Sequence, residues 1–197
     1  MTRRTLVLLA CLGLSIGSLP AMAIEEPAFK SVLLEGDFEL RDYAPYLVAE
    51  TRVRAGFEDA GNIAFGRLFR YISGRNEVSQ KISMTAPVRQ GPVDGGDQLV
   101  AFVVPSSFTR ASVPQPSDPQ VAIREEPARR LAVLRYSGRW TERRFREQEQ
   151  RLLDWIGRRS LKATGPAIYA RYNAPFVPWP LRRNEVLIPV DGVPASR

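Results

Sequence analysis

Residues 46–74 read YLVAETRVRAGFEDAGNIAFGRLFRYISG, a strand pattern that passes within a few residues into a helix pattern. Tyr46 to Val53 reads as a strand. Phe57, Ala60, Ala64, Leu68 and Ile72 then recur at spacings of three and four, with Phe65 and Phe69 widening the apolar stripe. Gly74 is a suitable C-terminal stop. Upstream, Asp37 to Asp42 alternate in polarity like a half-buried strand, joined to the next by the turn Tyr43-Ala44-Pro45. Downstream, Lys81 to Val88 and Gln98 to Val104 both read as strands, and the turn-rich run Gly91 to Gly96 separates them.

The second half shows the same order. Val121 to Glu125 and Arg130 to Tyr136 read as strands. A helix runs roughly from Thr141 to Arg159, with Phe145, Leu152, Leu153 and Ile156 on its apolar face and Gly157 standing where Gly74 stood. Tyr71-Ile72 answers Trp155-Ile156 at an offset of 84, and Ala86-Pro87 answers Ala174-Pro175 at 88. One such unit alone would leave edge strands and a sheet face exposed. The pattern therefore predicts one α+β domain. Two ββαββ repeats, about 36–105 and 121–190, pair around a pseudo-two-fold axis into a strongly curved or barrel-like antiparallel sheet. Each repeat contributes one helix packed on the sheet. The five prolines between Pro105 and Pro127 read as a stiff linker, residues 24–35 as an N-terminal arm and 191–197 as a frayed tail.

Composition removes many functions. The 197 residues include no histidine and one cysteine, Cys11. Ser-His-Asp and Cys-His catalysis, histidine-ligated metals and intrachain disulfides are therefore closed to this chain. Arg3 and Arg4, the uncharged apolar run Leu6 to Leu19 and Ala21-Met22-Ala23 have the order of a secretory signal peptide over residues 1–23. The run is short for a membrane span of roughly 20 residues. Leu8-Leu9-Ala10-Cys11 resembles a lipobox, but cleavage there would leave too little apolar segment. Cleavage after Ala23 removes two arginines and no acid, lowering the formal net charge from +7 to +5, and removes Cys11. A cysteine-free mature chain suits an oxidising compartment, and the expectation is export, to the periplasm. The arginine-dense stretch 139–159 also holds Glu142, Glu147, Glu149 and Asp154, which reads as a solvated helix face with ion pairs rather than a nucleic-acid surface.

Lys81-Ile-Ser-Met-Thr-Ala-Pro-Val88, Phe102 to Phe108, Pro114 to Pro119, Ala170 to Phe176 and Arg182 to Val186 together resemble the SOUL/heme-binding protein family over about residues 28–190. The resemblance implies a distorted β-barrel with two helices and an internal repeat. It also implies binding of heme or a related tetrapyrrole in an apolar cleft near the first helix, where basic side chains meet the propionates. Some members use an axial histidine. This chain has none, which leaves Met84, a tyrosine, or no protein atom at the iron.

Arg67, Phe69, Arg70 and Ile72 match the family segment lining that cleft, although an ordinary exposed helix face would carry the same arginines. Met84 is a ligand or metal contact under the resemblance, while its place on the signature strand favours a core residue. Tyr172, Phe176 and Trp179 lie in a proline-stiffened loop that suits either a cleft wall or a cover for the core. In the Arg182-Arg183-Asn184-Glu185 cluster, Asn184 is suited to cap a turn and Glu185 to pair with a nearby arginine. No carboxylate pair, Ser-Lys dyad or phosphate loop points to catalysis. The expected function is a non-enzymatic carrier or buffer of a tetrapyrrole. The alternatives are a module for another amphipathic anion or lipid, or a protein-interaction scaffold.

Overall fold

The computed structural model describes residues 24–192. The targeting segment read over residues 1–23 and the last five residues lie outside them. In chain order the strands are β1 (Phe29–Glu35), β2 (Phe38–Tyr43), β3 (Tyr46–Val53), β4 (Val88–Pro92), β5 (Gln98–Val103), β6 (Ala122–Glu126), β7 (Arg129–Tyr136), β8 (Lys162–Ala163), β9 (Ile168–Arg171) and β10 (Asn184–Asp191). Helix α1 (Phe57–Ile72) follows β3 and α2 (Glu142–Arg158) follows β7. The fold is α+β: one curled antiparallel sheet, a distorted half-barrel, with both helices packed on it.

The strand order is β1-β2-β7-β10-β9-β4-β5-β3-β6, with β8 paired to β10. From β2 to β6 the order reads the same backwards when β2 is exchanged with β6, β3 with β7, β4 with β9 and β5 with β10. Three pairings, β2 with β7, β3 with β6 and β4 with β9, join the first half of the chain to the second. Successive side chains of a strand point to opposite faces. One face carries two helix-covered clusters. Leu47, Ala49, Val100 and Phe102 meet Ala60, Ala64 and Leu68 of α1, while Leu134, Val186 and Ile188 meet Phe145, Leu152 and Ile156 of α2. The opposite face holds Tyr43, Leu131, Val133, Ala170 and Leu187.

The helices form where the periodicity places them. Glu58 and Asp59 favour the positive N-terminal end of α1, and Gly74, at φ +110°, lets the chain leave the helix. The Thr141 side chain accepts a hydrogen bond from the Arg144 N–H and caps α2. On the outer face of α2, Arg143 and Arg144 pair with Glu147, and Arg146 with Glu149, at 2.9–3.2 Å. These exposed pairs contribute about 0–1 kcal/mol each.

The structure corrects several local expectations. Residues 81–87 form no strand, because their polar groups are engaged elsewhere: Ile82 N–H bonds the Ile72 carbonyl, Thr85 Oγ1 donates to the Val103 carbonyl and Ala86 N–H to that of Glu25. Gly157 lies inside α2, and the left-handed position after that helix is Ser160. Leu153 points outward, while Gln148 and Trp155 are buried instead. Most of the N-terminal arm is β1, paired along β2. The proline-rich stretch is not a free spacer. Tyr71 Oη donates to the Pro114 carbonyl at 2.8 Å, Glu77 N–H bonds the Gln115 carbonyl, and Val113 and Val121 are buried beside α1. No helix among the described residues is long and apolar enough to cross a membrane.

Candidate functional site

Helix α1 spends one stripe on the core and leaves apolar residues on its outer side. Phe65 and Phe69, one turn apart, stack with ring centroids 5.9 Å apart and an interplanar angle of 10°. Phe65 also meets Phe102 of β5 edge-on at 5.3 Å. Phe69 is 49% exposed, and Ile63 is as open on the same helix. A flat, partly pre-packed aromatic surface therefore faces solvent.

The other expected cleft residues have different surroundings. Arg67 is turned to the sheet: its Nη1 donates to Thr51 Oγ1 at 2.8 Å and its Nε lies 4.0 Å from Asp118. Arg70 is exposed, and a Cβ at Gly66 would come within 3.9 Å of its Nη1, so it lies back along the helix. Ile72 is buried with Leu68 in the core below α1. Met84 is exposed on the irregular 81–87 segment. Phe176 is 87% exposed in the β9–β10 loop, where Trp179 faces the Arg139 guanidinium at 5.5 Å. Tyr172 is turned inward, and its hydroxyl donates to Glu185 Oε2 at 2.7 Å.

Tyr172 belongs to a polar network on the face away from the helices. Glu185 accepts from Arg41 Nη1 at 2.9 Å and from Arg183 Nη2 at 2.9 Å, besides Tyr172. Burial opposes the charge on Glu185, but the hydrogen bond and charge of Arg41, then Arg183, outweigh it and hold the carboxyl below its ordinary range. Burial, then the Glu185 charge, pushes the Tyr172 hydroxyl well up. Asn184 beside it accepts from Trp140 Nε1 at 2.7 Å and donates to the Gly138 carbonyl at 3.1 Å. The Arg182–Glu185 cluster is thus structural, with the pairing the sequence suggested for Glu185.

Among the described residues lie two sizeable cavities, besides a small one of about 10 Å3 that Tyr172 lines with Tyr43, Tyr46 and Arg89. One, of about 240 Å3, is bounded by Arg89, Glu126, Arg129, Leu99, Ala101 and Ile168. The other, of about 440 Å3, lies between residues 25–28 and 103–110. Neither is lined by any of the eight expected cleft residues, and the first is below the ~300–1,000 Å3 that encloses a drug-sized ligand. Among the described residues no group of three His, Cys, Asp or Glu side chains can hold a metal ion.

Sequence reasoning missed a third place, the seam between the helices. Arg171, the last residue of β9, projects between Phe57 of α1, at 5.6 Å from its ring centroid, and Phe145 of α2, at 6.0 Å. Trp140 lies 5.6 Å from the same guanidinium and has Arg182 over it at 4.2 Å. Arg171 Nη2 donates to Gln90 Oε1. Its Nε is buried without a partner among the described residues, as is the Tyr136 hydroxyl. Burial lowers the Arg171 guanidinium to about 10, only partly offset by Tyr136 and Glu58. Burial likewise raises the Tyr136 hydroxyl. The signal available in the sequence was an arginine at a helix-facing strand position, two residues after buried Tyr169.

The described fold and sequence have known counterparts. A family model described as SOUL heme-binding protein matches residues 24–189. Heme-binding protein 2 of Homo sapiens is 30% identical over 179 residues, covering 84% of this chain and 86% of the human one. The Mus musculus protein of the same name is 26% identical over 193 residues, covering 88% of this chain and 93% of the mouse one. Among solved structures, the EcmrR C-terminal domain superposes with a TM-score of 0.63 at 12% identity, over 79% of this chain and 98% of that domain, a likeness of fold alone. With the match running from the first described residue to the middle of β10, the chain belongs to the SOUL heme-binding protein family.

Proposed function

We propose that this chain binds heme or a related tetrapyrrole on the outer face of α1, without a histidine ligand, as an exported carrier or buffer. The observation that carries this reading is the stacked Phe65–Phe69 pair, held in place by Phe102 yet open to solvent. A macrocycle laid on it would bury apolar area worth about 25 cal/mol per Å2. Family membership and the names of the human and mouse relatives support the ligand class. Arg70, which forms no ion pair among the described residues, is free to meet a propionate. Exposed Met84 is the side chain best suited to reach an iron, and the alternative is no protein ligand. Export, to the periplasm, rests on residues 1–23. The palindromic strand order supports descent from a duplicated ββαββ unit.

A second reading has its own observation. Phe176 and Leu181 stand exposed in the β9–β10 loop beside arginines, which suits another amphipathic anion or a lipid.

Titration of the protein with hemin tests the first reading. A saturable Soret change is expected, weakened about tenfold or more in a Phe65→Ala, Phe69→Ala double variant. Absence of a saturable change at micromolar hemin removes the tetrapyrrole. An unchanged affinity in the double variant removes α1 as its platform.

A further inference from the structure

An arginine buried without a carboxylate is unusual, since removing a charge from water is costly unless it is paired. Arg171 approaches that case: half-buried overall, with its Nε sealed from solvent, it forms no salt bridge among the described residues, and only its Nη2 makes a hydrogen bond, to the neutral amide of Gln90. The fold makes room for it. A Cβ at Gly61 of α1 would lie 3.0 Å from Arg171 Nη1 and 3.2 Å from Nη2, so a side chain at residue 61 would require the guanidinium to give by a few tenths of an ångström. Tyr136, on the same helix-facing side of the sheet, leaves a second buried donor unused. Both residues flank Phe145, at 6.0 Å and 5.8 Å.

We infer that Arg171 and the Tyr136 hydroxyl form the inner end of a carboxylate-binding site at the seam of α1 and α2, taking the acid group of an aromatic ligand. One carboxylate would neutralise one guanidinium and accept from the phenol, supplying what both groups lack. The rings of Phe57, Phe145 and Trp140 set the aromatic preference. Trp140 is only half-buried and is fixed by its bond to Asn184, so it stands ready at the entrance. If the carrier of the acid is a tetrapyrrole, this assignment rests on the function proposed above and names Arg171 as an anchor for a propionate. The carboxylate site itself does not need that reading.

The test uses protoporphyrin IX, its dimethyl ester and phenylacetate, read by tryptophan fluorescence and thermal unfolding. The wild-type protein is expected to bind the diacid about tenfold or more tighter than the diester, and to unfold at a higher temperature with phenylacetate. Arg171→Met loses both effects, while its ligand-free form unfolds at the same or a higher temperature because the unpaired charge is gone. Tyr136→Phe keeps the fold and weakens both effects, which serves if Arg171→Met does not fold. Equal binding of diacid and diester without a phenylacetate effect overturns the anchor and leaves the tetrapyrrole reading standing. The orphaned donors are then served by water. A diacid preference that survives in Arg171→Met also overturns it. Phenylacetate stabilisation through Arg171 without porphyrin binding upholds the carboxylate site and removes the tetrapyrrole.

Discussion

Glu185 is fully buried and nevertheless charged, because Arg41, Arg183 and Tyr172 all donate to it. Removing the charge strands its partners in the interior. Glu185→Gln is therefore expected to cost about 3–5 kcal/mol in urea unfolding, the range for breaking a buried pair. Its carboxyl is held below the ordinary value near 4.5 in the folded protein. Stability from this group is therefore fully present above that value and is lost as pH falls through the lower folded one. An unfolding series from pH 6 to pH 3 should show a falling midpoint in the wild type and a flatter one in the variant. The sequence made Glu185 legible as a paired acid. Its main partner, Arg41, is 144 residues away, and only the meeting of β2, β7 and β10 brings the two together.

Helix α1 shows the same division at the level of an element. Its boundaries and buried stripe follow from apolar spacing and Gly74, both local properties. The importance of Gly61 does not, since it arises from a side chain on β9. Alanine at a glycine inside a helix ordinarily gains up to about 1 kcal/mol. Here the added methyl would crowd Arg171 and Gln90 Oε1 at 3.0–3.1 Å, so Gly61→Ala is expected to destabilise. In an Arg171→Met background the sign should reverse toward stabilisation, and a double-mutant cycle by chemical unfolding measures that coupling. Additive effects would mean the close approach carries no energy. The 81–87 segment marks the opposite limit. Its composition resembles a strand, but tertiary partners for Ile82, Thr85 and Ala86 take the groups a ladder would need.

Across the whole molecule, each half relies on the other for its sheet. β2 finds β7, β3 finds β6 and β4 finds β9 across the midpoint of the chain. Residues 24–105 alone would lose every one of these pairings and expose strand edges. That fragment is expected to show no cooperative thermal transition by circular dichroism, and mixing it with residues 106–192 should restore one. A cooperative transition in the first fragment by itself would show that a single ββαββ unit is autonomous. The proline-rich stretch between the halves belongs to this joint structure, since Val113, Pro114 and Val121 close over α1.

The sequence by itself determined the α+β class, both helices, most strands, the absence of histidine chemistry and the family resemblance. Each of these follows from local periodicity, turn residues, composition or contiguous motifs. Tertiary structure alone decided which of the expected site residues face solvent. Phe69 and Met84 do, while Ile72 and Tyr172 turn inward and Arg67 is bound to β3. It alone also placed Arg171 between the two helices with no salt bridge among the described residues. The physical reason is that burial and charge pairing depend on which strands become neighbours. In this sheet the deciding neighbours come from opposite halves of the chain.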